Sequence, residues 1–250
     1  MFEVCSRGYP ETGIHGRVVH ELGRDIVGGR FKPGEKLPEE AWMIDRFCGS
    51  RTAIREALRV LTAKGLLEAR QRYGTSVREK RFWNLLDPDV LSWQALDELD
   101  EEAVRNLMEI RVSVAPLVAR MVSERSTIDE LRAINGACEA MEQAERLGNK
   151  HDFFRAAVEF NMCLFEACHN DFIVRLRDAI KLLLEYGYRQ TELKRCQPFA
   201  SSRMYRAVLE KIRKRDANGA ELAMQSIIAQ ATEALEIAFA FERREFRERA

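Results

Sequence analysis

Ser50-Arg51-Thr52-Ala53-Ile54-Arg55-Glu56-Ala57-Leu58-Arg59-Val60-Leu61 has the pattern of a short helix with two different faces. Ser50 suits the N-cap, where its hydroxyl accepts from an otherwise unpaired amide one turn in. Ile54, Leu58 and Leu61 fall on one stripe, which predicts a side turned to a small core. Arg51, Thr52, Arg55 and Arg59 fall on the other side. Guanidiniums and a hydroxyl near a helix N-terminus suit phosphate contacts and two-point reading of a guanine edge. Periodicity alone is met equally well by the solvated face of an ordinary amphipathic helix. The flanking sequence separates the two readings.

Upstream, Ile14, Val18, Leu22 and Ile26 recur at every fourth residue and Gly28-Gly29 follows, which predicts a first helix over 14–27. Phe31-Lys32-Pro33-Gly34 reads as a turn. Pro38 is acceptable at the start of a second helix, whose apolar side is Ile44 and Phe47 and whose end is Gly49. Helix, short turn, helix is the unit that lays its second helix in a DNA major groove. Downstream, Gly65 precedes LLEARQRYGTSV (66–77), where Leu67, Ala69 and Val77 mark two short strands about a turn bearing Arg70, Arg72 and Tyr73. A hairpin with exposed arginines is usually no more than a soluble edge. Directly behind a helix-turn-helix it becomes a positively charged wing.

At 250 residues, with 32% charged and 46% apolar, the chain can bury two separate cores and is too apolar to stay disordered. It contains no run of about 18 apolar residues. Its first residues lack the basic and apolar regions of a signal peptide, so no membrane partner and a cytosolic location are expected. Six cysteines (Cys5, Cys48, Cys138, Cys163, Cys168, Cys196) lie scattered without paired spacing and read as reduced, packed thiols. The zero net charge hides an asymmetry. Residues 1–82 hold 16 Lys+Arg against 11 Asp+Glu and the remainder is acidic by the same margin, as expected for a nucleic-acid-binding head on a separate body.

These residues resemble a family. PGEKLPEE (33–40), GSRTAIREAL (49–58), KGLLEAR (64–70) and YGTSV (73–77) look like the winged-helix domain of the GntR superfamily of bacterial transcription regulators. The resemblance implies that Ser50, Arg51, Thr52 and Arg55, with the wing around Gly74, touch a double-stranded DNA operator, and the charge of the wing turn adds Arg72 to the expected contacts. Two departures stand out: Ala41 occupies a place where many members carry a DNA-contacting arginine, and Arg72 replaces a usual wing glycine. REKRFWNLLDPDVLSW (78–93) is similar to the connector of the galactonate-responsive branch of FadR-type GntR regulators. The expected organisation is a winged-helix DNA-binding domain over 1–78, a connector over 79–98, and an all-helical effector-binding and dimerisation domain over 99–250.

From residue 100 onward the pattern is helical, giving a mostly α chain whose C-terminal part is an antiparallel bundle. Val104, Leu107, Val114, Val118 and Met121 form one apolar stripe, Leu131, Ile134, Cys138 and Met141 another, and Ile173, Leu176, Ile180 and Leu183 a third. Met224, Ile228, Ala231, Leu235 and Ala238 run along a final long helix. It resembles the FCD-type effector domain of the FadR subfamily. Polar residues that interrupt stripes carry most information, because a buried charge is costly unless paired. Arg111 lies between Leu107 and Val114, Asn161 follows Phe154 and Ala157, and Tyr205 shares a face with Val208 and Ile212. Together they suggest a small polar pocket for a carboxylate effector, a sugar acid first. A self-satisfied core hydrogen bond for Asn161 or Tyr205, and an internal partner for Arg111 in Glu109 or Glu159, remain open.

Many effector domains of this kind hold a metal through an aspartate, a histidine one turn later and two further histidines. Aligned by FNMCLFEACHN (160–170) and YRAVLEKIRKRD (205–216), those places are Ala157, Asn161, Tyr205 and Ile227, which implies that the family metal site is lost and no cofactor is held. Cys163, Cys168 and His169 offer a weaker thiolate alternative. No nucleophile–base set, phosphate loop or metal motif points to an enzyme. The expected function is a homodimeric, ligand-responsive repressor on a palindromic operator. A constitutive DNA-binding protein whose helical part only dimerises, and a regulator answering another acid such as a fatty acyl compound, are the alternatives.

Overall fold

The computed structural model describes the backbone of residues 8–70, 74–94, 99, 101–193 and 200–249; the side chains of 191–193 and 235–249 are outside the description. The chain divides into two compact units, residues 1–99 and 100–250.

In the first unit, α1 (Gly13–Val27), α2 (Glu40–Phe47) and α3 (Arg51–Ala63) precede an antiparallel pair, β1 (Leu67–Arg70) and β2 (Gly74–Val77), in register from Leu67↔Val77 to Arg70↔Gly74. Val18, Leu22 and Ile26 of α1, Met43 and Phe47 of α2, and Ile54, Ala57 and Leu61 of α3 close a core with Leu67 and Val77. Leu58 is half-buried at its edge, and Ile14, expected on the stripe, is 43% exposed because α1 has only just begun there. Pro38 does not open α2: the N-cap is Glu39, with Pro38 one residue earlier. Nor does Gly49 end it, since Cys48 takes the left-handed position at φ 50° and the Gly49 amide returns to the Ile44 carbonyl at 3.1 Å. The turn after α1 has a second use. Leu37 N donates to Thr75 O at 2.9 Å and Val77 N to Glu35 O at 2.9 Å, so residues 34–37 line the free edge of β2 and stiffen the wing.

The connector is part of this unit. A 3-10 turn (Lys80–Phe82) leads to α4 (Pro88–Ser92), and Trp83, Val90 and Trp93 are buried in the same core. Asp87 caps α4 by accepting from Asp89 N and Val90 N. Lys64, at the end of α3, bridges Asp87 at 2.8 Å and Asp89 at 2.7 Å. Asp89 also accepts from Tyr9 N, while Trp93 Nε1 donates to His20 Nδ1 at 3.0 Å and His20 Nε2 meets Tyr9 O at 2.8 Å. Gly23 of α1 is required here, because a Cβ would come within 2.5 Å of the Trp93 ring. Trp83, Val90 and Trp93 thus tie residues 83–93 into the core of the first unit.

The second unit is all-helical among the described residues: α5 (Glu101–Arg125), α6 (Ile128–Arg146), α7 (Lys150–Ala167), α8 (Asp171–Val174), α9 (Arg177–Leu193), α10 (Ser202–Arg213) and α11 (Ala217–Arg249). α6 packs on α7, and α5 lies against α11, α10, α7 and α9. With partners on several sides, α5 buries Val104, Met108, Arg111, Ala115, Val118 and Val122, whereas Leu107, Val114 and Met121 are half-buried flanks. The stripe expected over 173–183 is broken, because α8 ends at Val174 and α9 starts at Arg177. Ile134, Cys138 and Met141, and Met224, Ile228 and Ala231, are buried as their spacing predicts. Leu235 and Ala238 lie outside the described side chains.

Candidate functional site

Two places concentrate the residues singled out in the sequence. On α3, Ser50 caps the helix by accepting from Ala53 N at 3.2 Å, which turns the first residues of the helix outward. Arg51, Thr52, Arg55 and Arg59 are all exposed. Arg59 pairs with Glu56 at 2.6 Å on the helix surface. Arg55 is held from a different helix: its Nε donates to both Glu40 oxygens, at 2.9 and 3.2 Å, and Arg51 Nε lies 3.8 Å from the same carboxylate. The terminal nitrogens of Arg55 have no partner among the described residues. Glu40 was missed from the sequence, where its only signal is its place in PGEKLPEE beside a helix start. On the wing, Gly74 takes φ 101°, a conformation that side-chain-bearing residues rarely adopt and that favours glycine. Arg72 and Tyr73 lie outside the described residues.

In the helical unit, Arg111 is 3% exposed and its Nε is buried without a hydrogen-bond partner. Neither expected carboxylate reaches it. Glu109 is exposed, and Glu159 is exposed and accepts from Cys163 Sγ. Arg111 instead lines a cavity with Tyr205, Phe153, Ala157 and Ile227, which leaves about 30 Å³ free, room for one or two waters. Burial pulls the guanidinium below its usual value, and burial likewise raises the Tyr205 phenol, which the charge of Arg111 works to lower. The Tyr205 ring is fixed edge-on against Phe160, with centroids 5.2 Å apart.

Asn161 takes the self-satisfied alternative its position left open. It is 1% exposed, but its amide donates to Ala157 O at 2.8 Å, one turn back on α7, and it does not line the cavity. An i to i−4 bond of this kind satisfies a polar side chain within its own helix. Ala157, Tyr205 and Ile227, three of the four places that the resemblance aligns with the family's metal ligands, share the cavity and bring to it one phenol but no carboxylate or imidazole. Among the described residues no group of three or more His, Cys, Asp or Glu comes together. The exposed His169 meets Glu130 at 3.1 Å beside the Thr127 cap of α6, and burial pushes the Cys163 thiol up to about 12. No helix among the described residues is long and apolar enough to cross a membrane.

Comparison with known proteins agrees with both units. The family "Bacterial regulatory proteins, gntR family" matches residues 14–77 and the FCD domain matches residues 106–230. The galactonate operon transcriptional repressor of Escherichia coli (strain K12) is 32% identical over 223 residues, covering 88% of this chain and 95% of that one. The HTH-type transcriptional regulator LutR of Bacillus subtilis (strain 168) is 33% identical over 66% of this chain and 73% of its own. A solved structure described as "Lar controls the expression of the Listeria monocytogenes agr system and mediates virulence" superposes with a TM-score of 0.55 at 20% identity, over 93% of this chain and 99% of that one, a likeness of fold. The chain belongs to the GntR family of bacterial transcriptional regulators, with the family's helix-turn-helix domain followed by an FCD domain, and is not an enzyme.

Proposed function

We propose that this regulator is a repressor that binds a two-fold-symmetric operator as a homodimer and is released by a small carboxylate seated on Arg111. The outward face of α3, with Ser50, Arg51, Thr52 and Arg55, reads the major groove, and Arg72 and Gly74 of the wing approach the backbone or minor groove. One short helix reaches too few base pairs for genomic specificity, so two copies read two half-sites. No metal takes part at the place aligned with the family's site, since Ala157, Asn161, Tyr205 and Ile227 supply neither carboxylate nor imidazole.

The observation that carries the effector reading is the buried, unpartnered Nε of Arg111 facing a cavity it shares with Tyr205. A guanidinium there gains an anion as its missing partner, and the planar fork matches a carboxylate at two points. The free space is small, so an effector larger than a water or two displaces the walls, which gives it different affinities for two conformations. The galactonate and LutR relatives support a regulator by name; their ligands do not transfer with the name. The test is operator binding with and without acids for the wild type and Arg111→Met. Retained DNA binding with loss of release supports the reading; full release of the variant refutes it.

A further inference from the structure

The walls of the Arg111 cavity are chemically one-sided. Among the described residues that line it, Arg111 and Tyr205 alone carry polar side-chain atoms. Phe153 and Phe154, Val158, Leu183, Leu184 and Ile227 make up most of the rest. Asn161, the residue that could have served a second hydroxyl, has its amide turned to the Ala157 carbonyl and lies outside the lining.

We infer that the effector is a monocarboxylate with an apolar aliphatic or aromatic body, not a polyhydroxylated sugar acid. This rests on the reading of Arg111 as the anchor. An aldonic acid brings a hydroxyl on nearly every carbon, and each one gives up its bonds to water on entering. Tyr205 and the N–H groups of Arg111 not taken by the carboxylate can replace one or two of them; the others meet hydrocarbon and stay unpaired. A hydrocarbon or phenyl body gains from leaving water, and the phenyl edges and faces of Phe153 and Phe154 suit it. A second carboxylate would find no further cation in the described lining. The chemistry of the wall thus separates this chain from the sugar acid that the name of the galactonate operon transcriptional repressor suggests.

The test is isothermal titration of the full-length protein with hexanoate and phenylacetate on one side and gluconate and galactonate on the other, for the wild type, Arg111→Met and Leu184→Asn. Hexanoate and gluconate share a six-carbon acid skeleton and differ in hydroxyls. The expected result is that the apolar acids bind the wild type about 100-fold or more tighter than the sugar acids, a factor one unpaired hydroxyl can supply. Arg111→Met loses that binding, and Leu184→Asn, which adds an amide to the wall, narrows the ratio. Sugar acids binding at least as tightly as hexanoate, and only with Arg111 present, would overturn the apolar class and leave Arg111 as the anchor. Binding by no acid, or equal binding to Arg111→Met, would overturn the anchor and this inference with it.

Discussion

The carboxylate of Glu40, the first residue of α2, accepts from Nε of Arg55, one turn into α3, at 2.9 Å. The bond engages Nε and leaves the terminal nitrogens of this exposed side chain without a partner among the described residues, free to meet a guanine edge at two points. Arg55→Ala is therefore expected to weaken operator binding by about 1–3 kcal/mol. Glu40→Ala should act differently: with one negative charge fewer and both arginines loosened, affinity for unrelated DNA rises while preference for the operator falls. Neutralising Arg72 should flatten the salt dependence by about one unit if the wing meets phosphate. Fluorescence anisotropy on operator and scrambled duplexes at several salt concentrations measures all three. Operator affinity unchanged by Arg55→Ala would remove α3 as the reading helix.

Lys64 is expected to hold the DNA-binding unit together. It is half-buried among Asp87, Asp89 and the Trp93 ring, so Lys64→Met leaves two carboxylates facing each other without a cation. The expected cost is about 2–4 kcal/mol, below that of a fully buried pair because Lys64 retains some solvent. Asp89→Asn in the same chain should recover part of it. Burial works to lower the Lys64 pKa, but the hydrogen bonds to Asp87 and Asp89 outweigh it and the value is raised above 10.5. A group raised in the folded state stabilises fully below its unfolded value, so this contribution stays constant through neutral pH and is lost only above about pH 10.5. Urea unfolding of wild type and variants at pH 7 and in the alkaline range checks both statements.

Two-fold assembly should be visible directly. Light scattering at micromolar concentration is expected to give twice the chain mass of 28.8 kDa, and footprinting to protect two half-sites about one helical turn apart or a multiple of it. A monomer in both the presence and absence of DNA would contradict the paired reading.

The sequence was most legible where local rules act alone. The Ser50 cap and the burial of Ile54 and Leu61 follow from a side chain and a period, and both are observed. Ala57, buried on the same face, carries no hydrophobic signal of its own. The α5 stripe was misplaced by one residue, onto Leu107 and Val114 instead of Met108 and Ala115, because a helix with neighbours on several sides buries a wide arc. Arg111 survived that shift since it lies on both readings. For Asn161 both alternatives stand in the sequence, as nothing there tells whether an amide on an apolar stripe faces a cavity or bonds to the carbonyl one turn back, as it does here. Glu40 and the seating of Trp93 on His20 depend on contacts between elements far apart in the chain, which periodicity does not encode.

The most direct test of the central claim, that Arg111 is kept for a ligand, is the unfolding free energy of Arg111→Met against the wild type without any acid present. A buried guanidinium whose Nε has no partner among the described residues costs its own fold, and an apolar side chain of similar length fills its place without that cost. The variant is expected to be more stable than the wild type, by about 1–4 kcal/mol. It should also gain nothing from an added carboxylate, whereas the wild type is stabilised by mass action. A variant that is less stable than the wild type would show Arg111 to be a structural residue and would contradict the account.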